Sequence, residues 1–293
     1  MTTVYNTTAL AHATNADFQA WTTELMGMFD TVGVPQSADT GQFNPATATI
    51  PAAGASVYQI RYLNDSLHGT KPIYVKIECG TDTAGRVGIW VTAASATNGA
   101  GTVSGTTYLS RTKISPNAVA GGLTYWSGMC ALPGYFALAW KRGGMVAAYG
   151  STVFFAVCRT TDDSGTPTTT GFHMYMSNNG RPDRTTYVTA QLSDVVAYVC
   201  LPSPSATSTL VSGAPQVFRH FGFQPQVRCS PFMLSFLASE IGDLSTFTAT
   251  PVGVTQRTYL ALSGSNGPTQ AGCAPISTTV QPDSALRLAI QWE

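Results

Sequence analysis

The chain carries little charge. Lys, Arg, Asp and Glu make up 10% of its 293 residues, against roughly a quarter in an ordinary globular domain. The 15 basic and 15 acidic side chains cancel, so no basic excess is available to hold a phosphate backbone. A neutral exterior also lacks the repulsion that keeps monomers apart. We therefore expect a surface largely covered by partner subunits, and no direct contact with nucleic acid.

Long apolar runs are also absent. The longest, at 135–140 and 145–149, fall far short of the roughly 20 residues that span a bilayer. Residues 1–13 have neither the cationic start nor the apolar stretch of a secretory signal. We therefore expect no membrane segment and a protein made in the cytoplasm.

Closely spaced cysteine pairs are missing as well, which disfavours zinc sites built from such pairs. The six cysteines are Cys79, Cys130, Cys158, Cys200, Cys229 and Cys273. In a reducing cytoplasm we expect buried thiols that act as small hydrophobic groups. Disulfides formed after release from the cell are the alternative.

One stretch near the start has helical periodicity. Asn15 offers a side-chain cap to a helix expected to run to about Asp30, and Gly33 with Pro35 predicts its end. Five large apolar side chains recur at three- and four-residue steps and define one face: Phe18, Trp21, Leu25, Met28 and Phe29. This face needs a hydrophobic surface, either the chain's own β-body or a neighbouring subunit. The five residues are therefore candidate interface residues.

From residue 55 onward the apolar period changes to two, which is typical of half-buried strands. Predicted strands are 58–62, 73–77, 87–91, 107–110, 135–141, 145–149, 153–159, 171–177, 186–189, 195–201, 217–223, 247–250, 255–262 and 285–292. Short segments rich in Gly, Asn, Asp and Ser separate them. The predicted fold is mainly β: an antiparallel β-sandwich or jelly-roll-like body with one N-terminal amphipathic helix.

Two regions follow from these patterns. Residues 1–50 form an N-terminal arm and helix, whose first fifteen residues look polar and flexible, and residues 51–293 form the β-sandwich body. Prolines and serines at 202–205 make a lobe boundary near 202–215 plausible. Residues 93–105 have loop composition, and 232–241 fit either a short second helix or a buried loop.

The candidates for acid–base chemistry are few. Asp65 near His68, and the pair Asp162 and Asp163, are the best carboxylates, yet both segments look like loop tips where Asp bonds its own backbone. The four histidines stand alone in sequence: His12, His68, His173 and His220. No G-x-S-x-G elbow and no calcium-loop pattern occurs. We therefore predict no catalytic residue, no cofactor and no metal.

Aromatic side chains could contact a host-surface glycan by stacking on sugar rings. The residues to consider are Trp90, Tyr125, Trp126, Trp140 and Trp292. Most aromatics in strands are instead core residues or cross-strand pairs.

Several segments of the first half carry a resemblance. They are 18–21 (FQAW) through 32–34 (VGV), 38–42 (ADTGQ), 58–65 (YQIRYLND), 72–80 (PIYVKIECG) and 97–101 (TNGAG). With these segments the chain resembles virion proteins of tailed bacteriophages. The motifs are structural, so the resemblance transfers no catalytic residue. It implies membership of a particle, at the tail, baseplate, fibre junction or capsid surface.

The expected role is therefore a non-enzymatic structural component of a tailed-phage virion, made in the host cytoplasm. Its partners would be other virion proteins and copies of itself, with the N-terminal arm and helix docking on neighbouring subunits. The tail, baseplate or fibre region is the expected location. A capsid decoration protein and a receptor- or glycan-binding tail module are the alternatives.

Overall fold

The computed structural model describes residues 2–6, 9–11, 13–115, 123–142, 152–161, 167–177, 185–191, 198–200, 216–223, 228–237, 246–249, 256–262 and 286–292. The first elements are β1 (Thr2–Asn6), β2 (Ala9–Leu10), α1 (Asn15–Thr31), a 3-10 turn (Pro45–Thr47), β3 (Ser56–Tyr62), β4 (Tyr74–Thr81), β5 (Val87–Thr97) and β6 (Val103–Lys113). The later strands are β7 (Leu123–Leu132), β8 (Tyr135–Arg142), β9 (Thr152–Thr161), β10 (Pro167–Ser177), β11 (Thr185–Gln191), β12 (Tyr198–Cys200), β13 (Gln216–Phe223), β14 (Arg228–Leu237), β15 (Thr246–Ala249), β16 (Arg257–Leu262) and β17 (Leu286–Gln291).

These elements confirm the predicted fold class, a mainly β antiparallel body with one N-terminal helix. A four-stranded sheet has the order β3-β4-β5-β6, and the other strands belong to a thirteen-stranded sheet. Strands β7, β8 and β9 are successive antiparallel neighbours, as short connections favour. The C-terminal strand β17 lies between β14 and β16, which confirms the predicted strand at 285–292.

The helix begins one residue earlier than predicted, because Thr14 rather than Asn15 is its cap. The Thr14 hydroxyl accepts a hydrogen bond from the Asp17 amide at 3.2 Å, while the Thr14 amide donates to the Asp17 carboxylate at 2.8 Å. This reciprocal pair is a capping box. The Asn15 side chain instead accepts from the Ile50 amide at 2.9 Å. At the other end Gly33 takes a φ of 79°, as predicted.

One hydrophobic core joins the helix to both sheets. Strand β4 contributes Val75 and Ile77 from one face of the small sheet, and Phe136 on β8 contributes from the large one. Phe29 of α1 meets Phe136 edge-to-face, with ring centroids 5.8 Å apart. The core is therefore assembled from segments distant in sequence.

Four local predictions are corrected by the structure. Residues 2–6 are not a flexible arm but strand β1, paired with β7, and β7 itself was not predicted. Residues 93–105 are not one loop, since β5 continues to Thr97 and β6 starts at Val103. The segment beginning at 232 is strand β14 rather than a helix or loop. Its Pro231 is tolerated because the β13–β14 register shifts there, where no ladder amide is needed.

Three sequence expectations lie outside the described residues. These are the predicted strand at 145–149, the loop tip at Asp162 and Asp163, and the lobe boundary near 202–215. The division at residue 50 stays a prediction.

Candidate functional site

The five candidate interface residues lie in the chain's own core. Each side chain is 3% exposed or less, as are Thr22 and Met26 on the same helix. The Trp21 indole donates to the Ala11 carbonyl at 2.8 Å, which ties the helix to the segment before it. Two surfaces were considered for this helix face. In the structure the face packs against the chain's own β-body. An intersubunit role for Phe18, Trp21, Leu25, Met28 and Phe29 stays a prediction and would require α1 to leave this position.

A buried arginine links the C-terminal end of α1 to the small sheet. Arg61 on β3 pairs with the Asp30 carboxylate and donates to the Val34 carbonyl at 3.2 Å. It also donates to the Gln59 side-chain oxygen at 2.5 Å. The last turn of α1 contains no basic residue, so Arg61 supplies from outside the positive charge that a helix C-terminus favours. Burial lowers the pKa of Arg61, and its pairing with Asp30 opposes this shift.

Asp65 bonds its own backbone, as predicted for a loop tip: its carboxylate accepts from the Leu67 amide at 3.0 Å. Asp65 accepts two hydrogen bonds from Arg159 on β9, and Arg159 also donates to the Lys71 carbonyl at 2.7 Å. The Asp65 carboxylate is therefore paired with a cation from the large sheet. This ion pair joins the β3–β4 connection to the large sheet.

His68 lies beside that pair but is held by aromatic rings. It stacks on Tyr62 with centroids 4.2 Å apart and meets Tyr74 edge-to-face at 5.5 Å. Its Nδ1 is buried without a hydrogen-bond partner. Burial lowers the pKa of His68; Asp65 opposes this shift and Arg159 adds to it. The imidazole is thus stabilised in its neutral form.

A second polar cluster covers the face of the small sheet that points away from the core. The Trp90 ring contacts two cations: the Arg111 guanidinium carbon is 4.5 Å from its centroid and the Lys113 ammonium 5.2 Å. Arg111 Nε donates to both carboxylate oxygens of Glu78, at 3.1 and 3.0 Å. These contacts leave the indole 7% exposed.

The same network continues to the β4–β5 turn. Asp82 accepts from Arg86 Nε at 2.8 Å and lies 3.8 Å from the Lys113 ammonium. Burial raises the pKa of Asp82, but hydrogen bonds from Arg86 and the charge of Lys113 outweigh it and leave the pKa lowered. Burial lowers the pKa of Lys113, which Asp82 opposes. The Asp82 carboxylate is thus paired with two cationic side chains.

The aromatic residues considered for glycan stacking are mostly withdrawn from solvent where their side chains are described. Trp292 is fully buried, and Trp90 is 7% exposed with two cations near its ring. Strands β7 and β8 carry Tyr125, Trp126 and Trp140, whose side chains lie outside the described set.

The two cysteines whose side chains are described, Cys79 and Cys130, are buried free thiols. Burial raises the pKa of both, that of Cys130 to about 12. Such thiols are poor nucleophiles, because the thiolate is the reactive form. Cys158, Cys200 and Cys229 lie on strands without described side chains.

The described residues contain no group of three or more His, Cys, Asp or Glu side chains placed to hold a metal ion. His173 and His220 lie on β10 and β13 without described side chains, and His12 is outside the described residues. Within the same part of the chain, no helix is long and apolar enough to cross a bilayer.

No protein-family model, curated protein or solved structure matches the chain. The geometry defines an antiparallel β-protein whose two described polar clusters combine arginines, carboxylates and aromatic rings. Its biochemical role therefore has to be argued from the chain's own residues.

Sequence reasoning missed the two buried arginines that pair with Asp30 and Asp65. Arg61 and Arg159 occupy buried positions of strands, where a charge is rarely expected. One signal was available: Arg61 shares its face of β3 with Val57 and Gln59 rather than with Tyr58, Ile60 and Tyr62. This face of β3 is the one whose residues pair with Val75 and Ile77 of β4.

Proposed function

We propose that the protein is a structural component of a tailed-phage virion, assembling through subunit contacts in the tail, baseplate or fibre region. The observation that carries the proposal is the low and internally paired charge. Charged residues are 10% of the chain, and four carboxylates in the described part pair with arginines: Asp30, Asp65, Glu78 and Asp82. An exterior so poor in free charge suits a protein whose surface is covered by neighbours.

The antiparallel body supports the same role. Its backbone hydrogen bonds are largely satisfied within the sheets, while the connections remain available for neighbouring subunits. The resemblance to virion proteins rests on segments of α1, β3 and β4 and on the 97–101 turn. Asp39 holds that turn: its carboxylate accepts from the Gly101 amide at 3.2 Å and from the Ser37 hydroxyl at 2.7 Å.

The test is to raise an antibody against the protein and follow it through purification of phage particles from producing cells. We expect it to co-sediment with particles in a constant ratio to the major capsid protein. Gold-labelled antibody should decorate the tail end in electron micrographs. Labelling over the capsid would favour a decoration protein.

A protein that is absent from particles and stays monomeric at high concentration would contradict the proposal. Lysate from cells that produce no particles is the control, because a protein that sediments there is aggregating by itself.

A further inference from the structure

Two arginines on the outer face of the small sheet are anchored in the same manner. Arg111 and Arg86 each use Nε to bond a carboxylate, Glu78 for the first and Asp82 for the second. Their side chains are 45% and 48% exposed. Within the described part of the chain, neither makes a hydrogen bond through its Nη atoms. Each guanidinium is thus oriented from one edge and keeps its paired Nη groups for an external acceptor.

The site is built into the sheet rather than formed by mobile surface chains. The Arg111 guanidinium packs on the Trp90 ring, and the Lys113 ammonium lies near the same ring. Gly88 provides the room for this arrangement: a Cβ there would lie 2.6 Å from Lys113 Cε and 2.8 Å from the edge of the Trp90 ring. Because stacking and the carboxylate already restrict the Arg111 side chain, little further entropy is lost when a ligand binds.

The charge of this face differs from that of the whole chain. Arg86, Arg111 and Lys113 lie there with Glu78 and Asp82, so three cations meet two carboxylates in a chain of net charge zero. This local excess of positive charge favours an anionic ligand. A guanidinium with free Nη groups binds phosphate oxygens through two parallel hydrogen bonds.

We propose that this outer face is a phosphate-binding site, in which Arg111 and Arg86 receive the oxyanions of a phosphorylated ligand. Because Trp90 is 7% exposed, recognition depends on charge and hydrogen bonds rather than on stacking with a sugar or base. The phosphate can be free or carried on a polymer, since the Nη groups would contact the same oxygens. The inference rests on this network alone and is independent of the virion role.

The test is a titration of the full chain with inorganic phosphate and, separately, with a polyphosphate chain. The indole N–H signal of Trp90 is followed by NMR after assignment with Trp90→Phe. Total ionic strength is held constant with chloride. We expect a saturable shift with at least one phosphate form that chloride does not produce. A response to both forms indicates a free phosphate group as a sufficient ligand, and a response to polyphosphate alone indicates a polymeric source.

The deciding variants keep the charge and remove the paired Nη groups. We expect Arg111→Lys to weaken binding by about tenfold or more, the cost of a lost bidentate contact, and Arg86→Lys to weaken it independently. Lys76→Gln is the matched control; its ammonium lies 4.1 Å from the Tyr58 ring centroid, so we expect inorganic phosphate to bind it within about twofold of native. Unchanged binding in both arginine variants, an equal response to chloride, or no response to either phosphate form would overturn the proposal. Arg86 lies in an exposed turn, so its variant keeps the test valid if Arg111→Lys unfolds.

Discussion

The guanidinium of Arg159 and the carboxylate of Asp65 form an ion pair between the two sheets, with both side chains at most 1% exposed. Arg159 belongs to β9, while Asp65 lies in the connection between β3 and β4. A buried pair of this kind is costly to desolvate, so its net contribution to stability is small, whereas the loss of one partner is severe. The pair therefore links the two sheets at a buried position.

This asymmetry can be measured. Asp65→Ala should lower the free energy of unfolding by about 3–5 kcal/mol, because it leaves Arg159 buried without a counter-charge. The double variant Asp65→Leu with Arg159→Met should recover much of that loss. Urea denaturation of native, single and double variants measures the difference. Equal destabilisation by the single and double changes would show that the uncompensated charge is not the cause.

His68 predicts a pH dependence of stability. Its folded-state pKa is lowered below the ordinary value of 6.5, first by burial, so the folded state favours the neutral imidazole. The contribution is complete above pH 6.5 and is lost as the pH falls through the lower folded-state pKa. Stability measured by urea denaturation should therefore fall as the pH is lowered below 6.5.

His68→Phe is the matched variant, since it keeps the aromatic contacts with Tyr62 and Tyr74 without a titrating group. Its unfolding free energy should be flatter over the same interval. An identical slope in both proteins would assign the effect to another group.

The helix face predicts a stability effect rather than an effect on association. Phe29→Ala should destabilise the isolated chain by about 3–5 kcal/mol, because Phe29 is fully buried against Phe136. Thr23→Ala, on the exposed face of the same helix, should change stability by less than about 0.5 kcal/mol. Denaturation at two protein concentrations tests this. A Phe29→Ala protein with native stability but impaired association would restore the intersubunit role.

Substitution of Arg61 should lower the stability more than substitution of its partner Asp30. Arg61 is buried, while the Asp30 side chain is 65% exposed. Arg61→Ala removes bonds to Val34 and Gln59 together with the ion pair, and we expect a loss of about 2–4 kcal/mol. Asp30→Asn retains an acceptor that water can also reach, and we expect a smaller loss. Thermal unfolding of both variants tests this, and equal losses would contradict the assigned role of Arg61.

Alanine substitutions at two glycines of one turn allow backbone strain to be distinguished from a steric clash. Gly99 and Gly101 have φ of 75° and 85°, so alanine at either costs about 1–2 kcal/mol. A Cβ at Gly99 meets nothing within 4 Å, whereas one at Gly101 would collide with the Tyr58 hydroxyl. Gly101→Ala should therefore be the more destabilising in a denaturation experiment. Equal losses would show that Tyr58 moves aside freely.

The sequence by itself determined the local structure wherever the pattern was strong. Helical spacing located α1, alternation located strands such as β4, β9 and β17, and Gly33 ended the helix as expected. These signals are local: a period of 3.6 or 2 is visible without knowing what each face contacts. Strand β7 and the strand segment containing Pro231 were missed, since their irregular patterns are resolved by pairing with distant strands.

Tertiary structure alone decided what each side chain does. The sequence left the face of Phe18 and Phe29 open between own body and neighbour, and packing against Phe136 assigns it to the core. It suggested Asp65 beside His68, but the partner of Asp65 is Arg159, 94 residues away. The physical reason is that burial and ion pairing depend on contacts between distant segments, which a local sequence pattern does not encode.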